Sequence, residues 1–231
     1  MLDHVLTVLG ETHGYIMSGE PAGHGWVLGI GTLLIYATLL FVVWGGIKAI
    51  AQRDPICFLN PIEQINHFAA KVAMVCIPIM AVSIVYEVIC RYALNSPTIW
   101  AFEVSYMLMG ISLLLGIGYC AQLRKHIRVD FLYDNLSVKK QALLDGAGYL
   151  ILLIPASAWL TWGLFEYWLE AYKVNERTGE SAWNPLVWPF KFFFAFGFYL
   201  FTLQIISEFV KCCMRVLGRD VPEPDMPKGF E

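Results

Sequence analysis

Apolar positions in this chain run together in long blocks without charge. Trp26 to Ile47 holds no charged residue, and Val72 to Tyr86 is uncharged between Lys71 and Glu87. Val104 to Leu123 and Gly146 to Phe165 are uncharged throughout, and Phe192 to Ser207 reaches full length once Lys191 snorkels to the surface. A membrane-crossing helix takes about 20 apolar residues, so the blocks predict about five transmembrane helices. Asn60-Pro61-Ile62-Glu63 reads as a helix start, with an N-cap, a proline at the first helical position and a capping-box glutamate. From Pro61 to about Asn95 that helix extends roughly 50 Å at 1.5 Å per residue. The hydrocarbon core is about 30 Å thick, so its first two turns should protrude or lie in the interface. Ser96-Pro97 and Asn184-Pro185 are similar start signals for the third and fifth spans, and Pro78 and Pro155 sit mid-span as packing kinks.

Composition agrees with the pattern. Of 231 residues, 58% are apolar, 15% aromatic and only 15% charged. Soluble domains average about 45–50% apolar and about 25% charged. With a mean hydropathy of +0.58 and a formal net charge of −3, a soluble enzyme, a disordered chain and a nucleic-acid binder are excluded. The fold class is all-α integral membrane. The six cysteines show no CxxC and read as small buried hydrophobes, not as a disulfide or zinc framework.

Charge predicts the orientation. With the N-terminus outside and the C-terminus inside, all of the sixteen Lys and Arg residues except Arg91, Lys173, Arg177 and Lys191 fall on the cytoplasmic side. Ala49-Ile50-Ala51 looks a little like a cleavage site, but no basic residue precedes the apolar run, which is too long for a signal peptide. The chain therefore divides into a periplasmic tail (1–25), an N-terminal transmembrane helix (26–51), a four-helix membrane domain (52–210) and a cytoplasmic tail (211–231).

Between the spans, His126 to Leu136 reads as a short amphipathic helix in the cytoplasmic interface, its basic neighbours suited to anionic lipid headgroups. The segment Glu166 to Ala182 reads as a loop at the opposite face. Trp26, Trp100, Trp183 and Trp188 fit an aromatic belt, with Lys71 and Lys191 as further interfacial anchors.

No metalloprotease, P-loop, dinucleotide or nucleophile-elbow motif occurs. No catalytic residue, cofactor site or metal site is expected, and the chain reads as non-enzymatic. Its charged residues gather at span ends, as at Lys71, Glu87, Glu103, Asp145, Glu166, Lys191 and Glu208, and five spans cannot form two equal inverted halves. Two rival readings remain: an independent small transporter or channel, and a redox-enzyme anchor holding haem between His67 and His126. The most informative cluster is Glu87, Arg91 and Glu103. Glu87 and Arg91 stand four apart in the favourable acid-first order, and Glu103 opens the next span. Either Glu103 approaches Arg91 and pins the hairpin, or one of these charges pairs with a partner subunit.

Glu87-Val88-Ile89-Cys90-Arg91-Tyr92 leads into Ser96-Pro97-Thr98-Ile99-Trp100-Ala101-Phe102-Glu103, followed after a glycine-containing span by His126-Ile127-Arg128-Val129-Asp130. This ordered set resembles the small, Q-type membrane subunit of tripartite ATP-independent periplasmic (TRAP) transporters. The likeness runs from about Asn60 to the C-terminus and is strongest between Arg91 and Leu136. It carries the family motif onto Arg91, Trp100 and Glu103 at the outer hairpin and His126, Arg128 and Asp130 at the inner interface. The resemblance implies a bacterial inner-membrane complex that takes up organic acids, commonly C4-dicarboxylates, with sodium. It implies as partners a large M-type permease subunit, which carries the transport sites and moves like an elevator, and a periplasmic substrate-binding protein. The small subunit would brace the scaffold and help dock the binding protein. The family pattern has four spans with the N-terminus inside; the segment Trp26 to Ile47 is an addition to it.

Overall fold

The computed structural model describes residues 40, 44, 56–123 and 137–218. Its helices are α1 (Ile56–Tyr92), α2 (Ala101–Gln122), α3 (Val138–Gly148), α4 (Ile154–Lys173) and α5 (Trp188–Val216), with a π-helical turn, Tyr149–Leu153, joining α3 to α4. Four helices among the described residues are long and apolar enough to cross a membrane: Leu59–Tyr92, Ala101–Gln122, Lys139–Lys173 and Trp188–Val216. They correspond to the second through fifth apolar blocks. The first block lies outside the described residues apart from Leu40 and Trp44, which are helical. The amphipathic segment 126–136 also lies outside them.

The termini depart from the start signals, because packing decides where each helix begins. Pro61 does not open α1 but sits inside it. Leu59, upstream of that proline, is fully buried beside Ile62, and burying it favours continuing the helix backward. At the other end α1 stops at Tyr92, short of Asn95, which takes a left-handed φ of 50° and turns the chain out. Ser96-Pro97 lies in the turn before α2 and Asn184-Pro185 in the loop before α5. The proline in the first turn of α5 is Pro189, where its missing N–H is no loss.

Pro155 has no N–H to offer the carbonyl of Ile151, and its ring presses on that carbonyl. The helix answers with the π turn, in which the Ile154 N–H bonds five residues back to Tyr149 O. The expected loop from Glu166 is helical as far as Lys173.

The helices form a row, in the order α1, α2, α5 and then the α3–α4 rod, with α1 also touching α5. α1 packs on α2, α2 on α5 and α5 on α4, while α1 shares no packed face with α3 or α4 among the described residues. Burial follows from that order. Within the apolar stretch of each span, 44% of α5 is buried but only 11% of the α3–α4 rod. One core cluster, Ala69, Ala73, Leu115 and Leu200, joins α1, α2 and α5. A second, Trp168, Leu169, Ala171 and Trp188, joins α4 to the start of α5.

Candidate functional site

Polar side chains collect at the two ends of the helices along their length. At the end formed by the N-terminal part of α1, the C-terminus of α2 and the C-terminal half of α5, Asn66 Nδ2 donates to Gln204 Oε1 (3.1 Å) and to Ile62 O (3.1 Å). Gln204 Nε2 donates to Glu208 Oε1 at 3.4 Å, and Lys211 Nζ donates to the same oxygen at 2.6 Å. Lys211 Nζ also pairs with Glu63 Oε1 at 2.5 Å, a Coulombic contact without hydrogen-bond alignment. Gln122 Nε2 closes the set on Glu63 Oε2 at 3.3 Å.

Asn66, Gln204, Ser207, Glu208 and Lys211 are all buried. Three helices are thus cross-linked by charge-assisted contacts in surroundings with little water, where such bonds are strongest. Glu208 was expected at a span end, Glu63 as a capping-box glutamate and Lys211 in the cytoplasmic tail, whereas Asn66, Gln122 and Gln204 carried no expectation. The available signal was spacing: Gln204, Glu208 and Lys211 stand four and three apart, on one helical face.

At the opposite end, Glu87 is the hub of the α1–α2 hairpin. Its Oε1 accepts from Arg91 Nη2 at 2.6 Å and Nε at 3.0 Å. Its Oε2 accepts from the Thr98 backbone N–H at 3.0 Å and from the Thr98 hydroxyl. The carboxylate is therefore spent inside the hairpin, whereas the Arg91 side chain remains 55% exposed. Trp100 stacks on Tyr86 with centroids 5.9 Å apart.

The expected approach of Glu103 to Arg91 is not found. Glu103 is fully buried and its Oε1 accepts from the Thr178 hydroxyl at 3.0 Å. The first turn of α2 turns this side chain toward the loop before α5 instead of back toward α1.

That loop, 174–187, is ordered by its own backbone. Arg177 and Leu186 form an antiparallel bridge, and the Val187 N–H bonds Glu176 O at 2.9 Å. The Arg177 guanidinium donates to Asn184 O at 2.9 Å.

Lys191 does not snorkel to the surface as expected. Its side chain is buried, pairs with Glu176 at 2.5 Å and lies 3.5 Å from the centre of the Tyr167 ring. Loop and helix are therefore joined by charge. Trp188 is likewise no lipid-facing anchor but part of the core beside Trp168 and Ala171, whereas Trp183 is exposed on the loop. Lys71 is exposed on α1. His126, Arg128 and Asp130 lie outside the described residues, as does Trp26. His67, one of the two histidines of the haem reading, is exposed and stacks on Tyr119 with centroids 5.5 Å apart.

Between the two ends the helices are apolar. No Asp, Glu, Lys or Arg occurs in 72–86, 104–122, 146–165 or 192–207. A groove of about 460 Å³ between α1 and α2 is walled chiefly by Met80, Ile84, Val88, Phe102 and Met109, with Arg91 at its rim. Among the described residues no three His, Cys, Asp or Glu side chains gather as metal ligands.

Residues 80–215 match the family model of the tripartite ATP-independent periplasmic transporters, DctQ component. No curated protein and no solved structure matches the chain.

Proposed function

The chain belongs to the DctQ component family of tripartite ATP-independent periplasmic transporters and is a small permease component of that kind; we propose that its part in the complex is to brace the moving machinery without carrying solute itself. One observation carries this reading: the polar groups are tied to each other at the two ends of the helices, and the helical segments between them hold no charge. A transport path normally leaves ionisable groups or broken helices near the midplane.

An elevator mechanism needs one part that stays in place while another slides. A row of helices cross-linked at both ends resists internal shear. Displacing it along the membrane normal would also drag exposed Trp183 and Arg91 toward hydrocarbon. In this reading the large M-type permease subunit carries sodium and an organic acid, most simply a C4-dicarboxylate, and a periplasmic binding protein delivers the solute. The small subunit sits in the bacterial inner membrane with its N-terminus periplasmic and its C-terminus cytoplasmic. The Glu87 hairpin and the 174–187 loop then face the periplasm and contribute to docking the binding protein.

Reconstitution tests the proposal. Proteoliposomes holding this chain, the large permease and the binding protein are expected to accumulate a C4-dicarboxylate down an imposed sodium gradient, and to fail when any one of the three is left out. Saturable, ion-driven flux from this chain alone overturns the bracing role.

A further inference from the structure

The N-terminal part of α1 carries polar residues on two faces. Glu63 and Asn66 turn inward, to Gln122 and Lys211 and to Gln204. Gln64, His67 and Lys71 are all exposed, and their spacings of three and four residues stack them on a common outer face. From Val72 to Val85 the exposed side chains of the same helix are apolar, with Val75, Val82 and Val85 each more than half open.

Lys71 stands where that apolar run begins, and no carboxylate lies within pairing distance of it among the described residues. The charged neighbours along α1 are committed elsewhere, Glu63 to Lys211 and Glu87 to Arg91. A lysine at the edge of hydrocarbon with no acid of its own is costly, and the cost falls when its ammonium reaches an anion in the interface.

Geometry sets the direction of that reach. Cα–Cβ bonds in a helix lean toward its N-terminus, so Lys71 extends away from the apolar run and toward the turn that holds His67. The imidazole is already oriented by its stacking on Tyr119. Residues four apart on one face have Cβ atoms about 5–6 Å from each other, a gap that one phosphate group can bridge. Gln64 adds an amide donor one turn further along.

We propose that Lys71, His67 and Gln64 hold the headgroup phosphate of an anionic phospholipid whose acyl chains lie along the Val75–Val82 side of α1. The stripe combines positive charge with hydrogen-bond donors. It lies at the end of an apolar run, the depth at which headgroup phosphates stand, and the apolar surface continues on the hydrocarbon side as an acyl chain requires. An acidic segment of a protein partner could neutralise Lys71, but it has no need of the apolar face above it.

Native mass spectrometry of the full-length chain in detergent, titrated with phosphatidylglycerol or with phosphatidylcholine, tests the site. The unaltered chain is expected to retain phosphatidylglycerol in preference. Lys71→Gln should weaken that retention about fivefold, the effect of one basic residue at an anionic surface, and His67→Gln should weaken it further. Lys71→Arg should preserve it, and phosphatidylcholine binding should not change in any variant. Circular dichroism establishes that each variant keeps its helix content. Equal retention of the two lipids by the unaltered chain, or undiminished phosphatidylglycerol retention in the double variant, overturns the proposal. It is overturned too if Lys71→Gln loses co-purifying large permease while phosphatidylglycerol retention stays the same, since the lysine then serves a protein partner.

Discussion

Gly197 of α5 lies directly against the backbone of Leu114 in α2. A Cβ placed on it would stand 2.9 Å from both the carbonyl oxygen and the Cβ of Leu114. Neither atom can swing aside as the tip of a side chain would, so any side chain here has to push two helices apart. These helices meet at the middle of the row, where the apolar core of α1, α2 and α5 is assembled. Close approach through small residues is a main source of helix association in a membrane, where burying apolar surface gains little. Gly197→Ala is therefore expected to cost about 1–3 kcal/mol, the usual penalty of overpacking, although alanine is the better helix former. Thermal unfolding in detergent checks this. Gly163→Ala, where the added Cβ meets nothing within 4 Å, should leave the melting temperature unchanged or raise it slightly.

Lys211 is shared by Glu63 and Glu208, with contacts of 2.5 Å and 2.6 Å. Replacing it by methionine keeps the volume and removes the charge, leaving Glu208 buried without its lysine. Breaking a buried ion pair from one side typically costs about 3–5 kcal/mol. Lys211→Met should thus lower the melting temperature more than Glu63→Gln, because Glu63 is partly exposed and water can replace part of what it loses. A smaller loss in Lys211→Met than in Glu63→Gln would mean that the amides Asn66, Gln122 and Gln204 hold this end together without the ions.

The second through fifth spans could be read from the chain because an uncharged run of membrane length has few other uses. Their ends could not, and the reason is the same at each site. Pro61 carries a sound local start signal, but the buried Leu59 upstream of it outweighs that signal. Trp188 and Lys191 have the composition of interfacial anchors, yet both are drawn into the junction of α4, α5 and the loop, where Trp168 and Glu176 wait for them. The network around Lys211 was harder still to foresee. Its members come from three segments far apart in sequence, and each taken alone looks like a polar residue at a span end. Glu87 with Arg91 was legible because the pair is local, four residues along one helix. Glu103 was not, because its partner Thr178 lies on a loop that only the tertiary fold brings near.

The Glu87 hairpin separates two contributions that the sequence alone runs together. Arg91 is half in water, so its pairing with Glu87 should contribute no more than about 1 kcal/mol to stability. Thr98 is the stronger tie, since it supplies both a backbone N–H and a hydroxyl to a carboxylate that is mostly buried. Thr98→Val is expected to lower the melting temperature more than Arg91→Gln does. Arg91→Glu places two acids four apart on one helix face, which is unfavourable by a few tenths of a kcal/mol, a small stability effect. If Arg91→Glu also abolishes co-purification with the large permease while Arg91→Gln melts normally, the exposed guanidinium is a contact to that partner. Retained assembly in Arg91→Glu restricts its role to the hairpin.

Thr178 joins the ordered loop to the buried side of α2. Its hydroxyl is the hydrogen-bond donor to the Glu103 carboxylate, and the second oxygen of that carboxylate is buried without a partner among the described residues. Thr178→Val keeps the side-chain shape but leaves the carboxylate without that donor. A buried acceptor stripped of its donor costs about 1–3 kcal/mol, so the melting temperature should fall. The loop should also loosen locally, because its remaining tie to the helices by charge is Lys191 with Glu176. Limited proteolysis between 174 and 187 is expected to speed up in Thr178→Val, and further in Thr178→Val combined with Glu176→Gln. Glu103→Gln offers the complementary change, since an amide removes the buried charge while its carbonyl still accepts from Thr178. It should therefore be better tolerated than Thr178→Val. If Glu103→Gln is instead the more damaging of the two, the negative charge matters more than the hydrogen bond, acting through the helix N-terminus of α2 on which it stands.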